Sequence, residues 1–137
     1  MKIARVLSTL FSLTLSLAIL TSASFAKNHL KTPAGLAVDA SGNLYVANDG
    51  ANQILIYNST YAQQTTKTIT NGVSEPAAVA LDQYGNLWVA NFKASNGGPT
   101  GSITEYIGGV LQSGNTITNG IQGPESLAFD TLNQLWI

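Results

Sequence analysis

One phrase occurs three times along this chain: PAGLAVDASGNLYVAN at 33–48, PAAVALDQYGNLWVAN at 76–91 and PESLAFDTLNQLWI at 124–137. The prolines that open the copies lie 43 and then 48 residues apart. A repeat of that length constrains the fold more than any local propensity. It belongs to architectures in which each unit buries its apolar face against the next, as blades or solenoid coils.

Within each copy the residues read as antiparallel strands. The apolar runs Leu36-Ala37-Val38, Val79-Ala80-Leu81 and Leu127-Ala128-Phe129 are short, bounded by turn residues and expected to be strands buried on both faces. Asp39, Asp82 and Asp130 end these runs, where a carboxylate can accept from turn amides. Gly42, Gly85 and Asn133 follow at the turn position that requires positive φ, Asn being the residue that best tolerates it after Gly. Second strands start at Leu44, Leu87 and Leu135 and carry Tyr45, Trp88 and Trp136 at equivalent places, expected to fill the wedge between neighbouring sheets. Third strands are expected at 53–57 and 102–107, and short outer strands at 68–70 and 116–118. Four antiparallel strands per unit, joined by DxxGN hairpins, favour radial blades over the parallel coils of a solenoid. The fold class is therefore all-β: a β-propeller of four-stranded antiparallel blades, incomplete, with repeats at about 33–75, 76–123 and 124–137. The last stops after the first hairpin, so Leu135-Trp136-Ile137 is expected to be an apolar edge that recruits other chains.

Residues 1–26 read as a signal peptide. Lys2 and Arg5 precede the apolar stretch 7–20, and Ser24-Phe25-Ala26 supplies small residues for cleavage after Ala26. The stretch is shorter than the ~20 residues of a bilayer-spanning helix, so no stable membrane anchor is expected after cleavage. The expected location is secreted or periplasmic, with residues 27–137 as the mature propeller segment.

Beyond residue 26, four lysines face seven carboxylates, leaving −3, and there is no Arg. Nucleic acid is not an expected partner, because phosphate binding needs clustered cations. Only 9% of the chain is charged, against about 25% in average domains, so Thr, Ser, Asn, Gln and Gly must make the surface. With no cysteine there is no disulfide, thiolate metal site or thiol nucleophile. His29, the single histidine, has no orienting partner nearby in sequence and reads as a solvent-facing linker residue. The repeated aspartates read as turn caps, since catalytic carboxylates work as asymmetric pairs. Asn58-Ser59-Thr60 fits a glycosylation acceptor in a host that glycosylates exports.

The string PAGLAVDASGNLYVAN followed by NQILIYN resembles the NHL-repeat β-propellers, and GNLWVAN with GSITEYI is also similar to the propellers related to streptogramin lyase. The resemblance covers 28–137 and rests on blade-building residues. It implies a ring of about six or seven blades, with the remaining blades of the same polypeptide beyond residue 137, and ligands gathered on the face that carries the interblade linkers and the loops after the second strands. Asn48, Asp49, Glu75, Asn91, Lys93 and Glu125 are the polar candidates for contacts there. No position matches the His and Glu motifs of the lyases, and no recognisable metal-ligand motif occurs. No cofactor is expected. The expected role is a binding or interaction module for a small molecule, glycan or protein. The alternative is part of a lyase-like or lactonase-like extracytoplasmic enzyme whose catalytic residues lie further along.

Overall fold

The computed structural model describes residues 30–94 and 100–137. The segment 1–26 expected to be a signal peptide, residues 27–29 with His29 among them, and residues 95–99 of the loop after Asn91 lie outside the described residues.

Three antiparallel sheets follow one another along the chain. Strands β1 (Pro33–Val38), β2 (Leu44–Asn48) and β3 (Gln53–Tyr57) form the first, in that order. The second consists of β4 (Pro76–Leu81), β5 (Leu87–Asn91), β6 (Ser102–Ile107) and β7 (Val110–Leu111). A third hairpin pairs β8 (Ala128–Phe129) with β9 (Leu135–Trp136). The registers repeat: Leu36 opposes Val46 as Val79 opposes Val89, and a bulge follows the proline of both β1 and β4. This is a run of propeller blades, two and the first hairpin of a third.

The hairpin turn is the same in all three. Asp39 accepts from the amides of Ser41 (2.9 Å) and Asn43 (2.8 Å), Asp82 from those of Tyr84 and Asn86 (both 2.9 Å), and Asp130 from those of Leu132 (2.9 Å) and Gln134 (2.8 Å). Gly42, Gly85 and Asn133 have φ of 79°, 82° and 60°, where a side chain is tolerated only in the small left-handed well. The aromatic six residues after each Asp returns to it. Tyr45 donates its hydroxyl to Asp39 (3.3 Å), and Trp88 and Trp136 their indole N–H to Asp82 (3.4 Å) and Asp130 (3.1 Å).

The core is the seam between the first two blades. Ala47, Ile54, Ile56 and Ile69 of the first meet Val79, Leu87, Val89 and Tyr106 of the second, with Val73 of the linker between them. Burying an aliphatic side chain there is worth about 1.5–3 kcal/mol, so the seam rather than either sheet alone carries the stability. At the next seam Trp88 meets Phe129 edge to face, ring centroids 6.0 Å apart, which fills that wedge as the repeated aromatics imply.

Two expectations need correction. The first strand is not buried on both faces: Leu36 and Val38 are 65% and 63% exposed, whereas Val79, the counterpart of Leu36, is buried. Side chains alternate along a strand, and these two point away from the second blade, which covers only one side of β1. The outer strands at 68–70 and 116–118 shrink to single bridges, Ile54 to Ile69 and Ile103 to Ile117. A 3-10 turn precedes each, Thr65–Lys67 or Ser113–Asn115, and a positive-φ glycine follows, Gly72 or Gly120, leaving little room for a ladder. In the second blade β7 pairs with β6 instead, because Gly108 (φ 58°) and Gly109 (φ 83°) reverse the chain within two residues.

Candidate functional site

The linkers before Pro33, Pro76 and Pro124 and the loops after β2 and β5 share one end of the blades. What holds them there is a buried polar scaffold. Asn48 accepts the Lys31 amide at 2.6 Å, and Asn91 accepts the Ser74 amide at 2.9 Å, equivalent bonds in successive blades. Both asparagines are fully buried. Asn91 also donates to Ser102 Oγ (3.3 Å) and Thr104 Oγ1 (3.0 Å), Thr104 donates to the Tyr106 hydroxyl (3.3 Å), and Tyr106 donates to the carbonyl of Asn71 (2.8 Å). Among the described residues no buried side-chain polar atom lacks a partner, as a stable network of this kind requires. Burial pushes the Tyr106 phenol above its ordinary pKa, with the Thr104 hydrogen bond opposing.

The residue before each proline, Thr32, Glu75 or Gly123, has φ of 45°, 46° or 53°. Pre-proline residues normally prefer extended backbone, so Thr32 and Glu75 are strained and are held by the scaffold beneath them, whereas Gly123 takes the same φ without a Cβ to clash. The side chains of Thr32 and Glu75 contribute to a polar rim above it. Glu75 forms an ion pair with Lys93, its amide donates to Asn52 Oδ1 (2.6 Å), and its carbonyl accepts the Phe92 amide (2.9 Å). In the first blade Thr32 Oγ1 donates to Asp49 Oδ2 at 3.4 Å. Glu125 is exposed beside the third linker.

Of the six residues singled out from sequence, the structure thus brings Glu75 and Lys93 together and places Asp49 against Thr32. Asn48 and Asn91 lie beneath the rim with their side chains turned into the scaffold. Thr32 and Asn52 are rim residues that sequence reasoning passed over. Asn52 carried a signal, since its left-handed backbone (φ 49°) is one Asn favours; Thr32 carried none. Among the described residues no group of three or more His, Cys, Asp or Glu is placed to hold a metal ion.

The opposite end carries the three capped turns. Asp39 is held below the ordinary carboxylate range first by the Asn43 side-chain amide, and Asp130 first by the Gln134 backbone N–H. Burial, followed by the Asp39 charge, raises the Tyr45 phenol. These groups stabilise turns, and nothing in their geometry sets an acid against a base.

No protein-family description and no curated protein matches the chain. Among solved structures it is similar to selenomethionine-substituted virginiamycin B lyase from Staphylococcus aureus, with a TM-score of 0.54 and 15% identity. The match covers 76% of this chain and 33% of that one, so the chain spans about a third of the length of the lyase. At this identity the likeness speaks for the fold, a β-propeller.

Proposed function

We propose that this chain is part of an exported propeller of the NHL type that binds a small molecule, glycan or protein at the rim formed by its linkers and the loops after β2 and β5. The observation that carries the reading is the repeated pairing at that rim, Thr32 with Asp49 and Glu75 with Lys93, over buried asparagines that fix the linkers. Rigid sheets presenting variable polar loops are a general design for recognition. The sequence resemblance to NHL repeats supports the family, and the three-part leader supports export.

The test is a glycan and small-molecule array probed with the exported protein and with a variant carrying Glu75→Ala, Lys93→Ala and Glu125→Ala. The variant should melt like the parent yet bind any hit at least about tenfold more weakly, a loss of about 1.4 kcal/mol. Unchanged binding would move the site elsewhere, and conversion of virginiamycin B by this chain would replace binding with catalysis. Amino-terminal sequencing of exported material should begin at Lys27; an intact Met1 would remove the cleaved leader.

A further inference from the structure

The two seams between blades are built from equivalent positions but filled differently. At the second, Trp88 of β5 meets Phe129 of β8, and Asn133 Oδ1 accepts the Gln83 amide at 2.9 Å, tying together the hairpin turns of the two blades. At the first, the same three positions hold Tyr45, Leu81 and Gly85. Tyr45 is smaller than Trp88 although both return to their turn aspartates, Leu81 replaces the aromatic ring, and Gly85 has no side chain to reach the neighbouring turn. An open cavity of about 360 Å³ lies at this seam, lined by two of these positions, Tyr45 and Gly85, together with Ile56 of the first blade and Leu87 and Tyr106 of the second. Its mouth lies among Gly85, Gly108 and Gly109, with Thr66, Lys67 and Thr68 along one wall.

We infer that this cavity is a binding site for a small organic acid with a flat apolar body, such as an aromatic carboxylate. Three features select that chemistry. The depth is walled by Ile56, Leu87 and two phenol rings, which suit a flat apolar group of the size that Trp88 and Phe129 supply at the next seam. Lys67 is the one charged residue of the lining and is exposed, so the acid group can meet an ammonium without burying a charge. The threonine hydroxyls at 66 and 68 offer donors on the same wall. The site lies at the turn end, away from the linker rim, and is independent of the function proposed there.

The experiment titrates benzoate into the isotopically labelled protein and follows amide chemical shifts. Saturable shifts confined to Thr66–Ile69, Gly85, Gly108 and Gly109, with a Kd of about 1 mM, are expected for a ligand of this size. Tyr45→Trp reinstates the residue of the second blade, which the Asp turn already accommodates there, and should abolish the shifts without lowering the melting temperature. Lys67→Glu should weaken benzoate at least tenfold while leaving benzyl alcohol unaffected. Shifts scattered over the surface, binding that survives Tyr45→Trp, or equal loss of the neutral and charged probes with Lys67→Glu would overturn the assignment.

Discussion

The side chain of Asn133 bridges two blades: its Oδ1 accepts the amide of Gln83 at 2.9 Å, so the residue that replaces glycine in the third turn also clasps the second. Gly85 stands at the equivalent place one blade earlier, at φ 82° with nothing within 4 Å of where a Cβ would project. Substitution there is limited by the backbone alone. Gly85→Val should lose more than about 1 kcal/mol, because a branched side chain is excluded from the left-handed well, while Gly85→Asn should be close to neutral. Denaturant midpoints of the two variants decide this, and equal losses would remove the turn's conformational requirement.

Asn91 is the hub of the buried network, and its removal strands the Ser74 amide together with two hydroxyls. Asn91→Ala should cost about 2–4 kcal/mol, more than Tyr106→Phe, which gives up the bond to the Asn71 carbonyl and the weaker one accepted from Thr104. Equilibrium unfolding monitored by tryptophan fluorescence provides both values. If the two losses are equal, the network does not centre on Asn91.

Two glycines make a paired comparison of close approach against open space. A Cβ on Gly101 would lie 2.1 Å from Pro124 Cδ and 2.9 Å from the Asn91 carbonyl, whereas one on Gly114 meets nothing within 4 Å. Gly101→Ala should therefore destabilise by about 1–3 kcal/mol through overpacking, and Gly114→Ala should leave stability unchanged or raise it slightly. Thermal melts of both variants check the contrast.

Stability should have an acid arm and an alkaline arm. Asp39 and Asp130 have lowered folded-state pKa values, so their contribution is present above the ordinary carboxylate value of about 4 and fades as pH falls through the depressed ones. Both carboxylates are largely exposed, so this arm should be shallow. Tyr45 and Tyr106 have raised values; their contribution is complete below the ordinary phenol value of about 10 and is lost as pH rises through the raised ones. Melting temperature against pH should be flat between about pH 5 and 9. Tyr106→Phe should flatten the alkaline fall.

The hairpin turns were legible in the sequence because Asp-x-x-Gly-Asn is local chemistry, complete within five residues, and Asn133 could be read as a glycine substitute on that basis. The return of Tyr45, Trp88 and Trp136 to their aspartates was not, since it depends on the twist that brings position six back over position one. Asn48 and Asn91 looked like rim residues because they open the loops NDGAN and NFKASNGGPTG that follow the second strands. Their burial is decided by partners far along the chain, the amides of Lys31 and Ser74 and the hydroxyl of Thr104. The Thr-Ile-Thr segments had the right composition for strands, yet the turns on either side leave Ile69 and Ile117 one bridge each. Sequence thus conveyed the architecture and the turns, while long-range pairing determined which polar side chains face outward.

The buried asparagine scaffold also says where this architecture can be cut. Asn91 reaches back 17 residues to Ser74, and Tyr106 reaches back 35 to Asn71, so the second blade grips the linker that leads into it rather than the one that leaves. Asn48 does the same with Lys31. A cassette drawn from Asn71 to Thr118 therefore contains every side-chain bond of its own polar interior, and one drawn from proline to proline severs two of them. Duplication, deletion or grafting of blades along this chain should follow the first boundary, a few residues ahead of the point at which the written repeat begins.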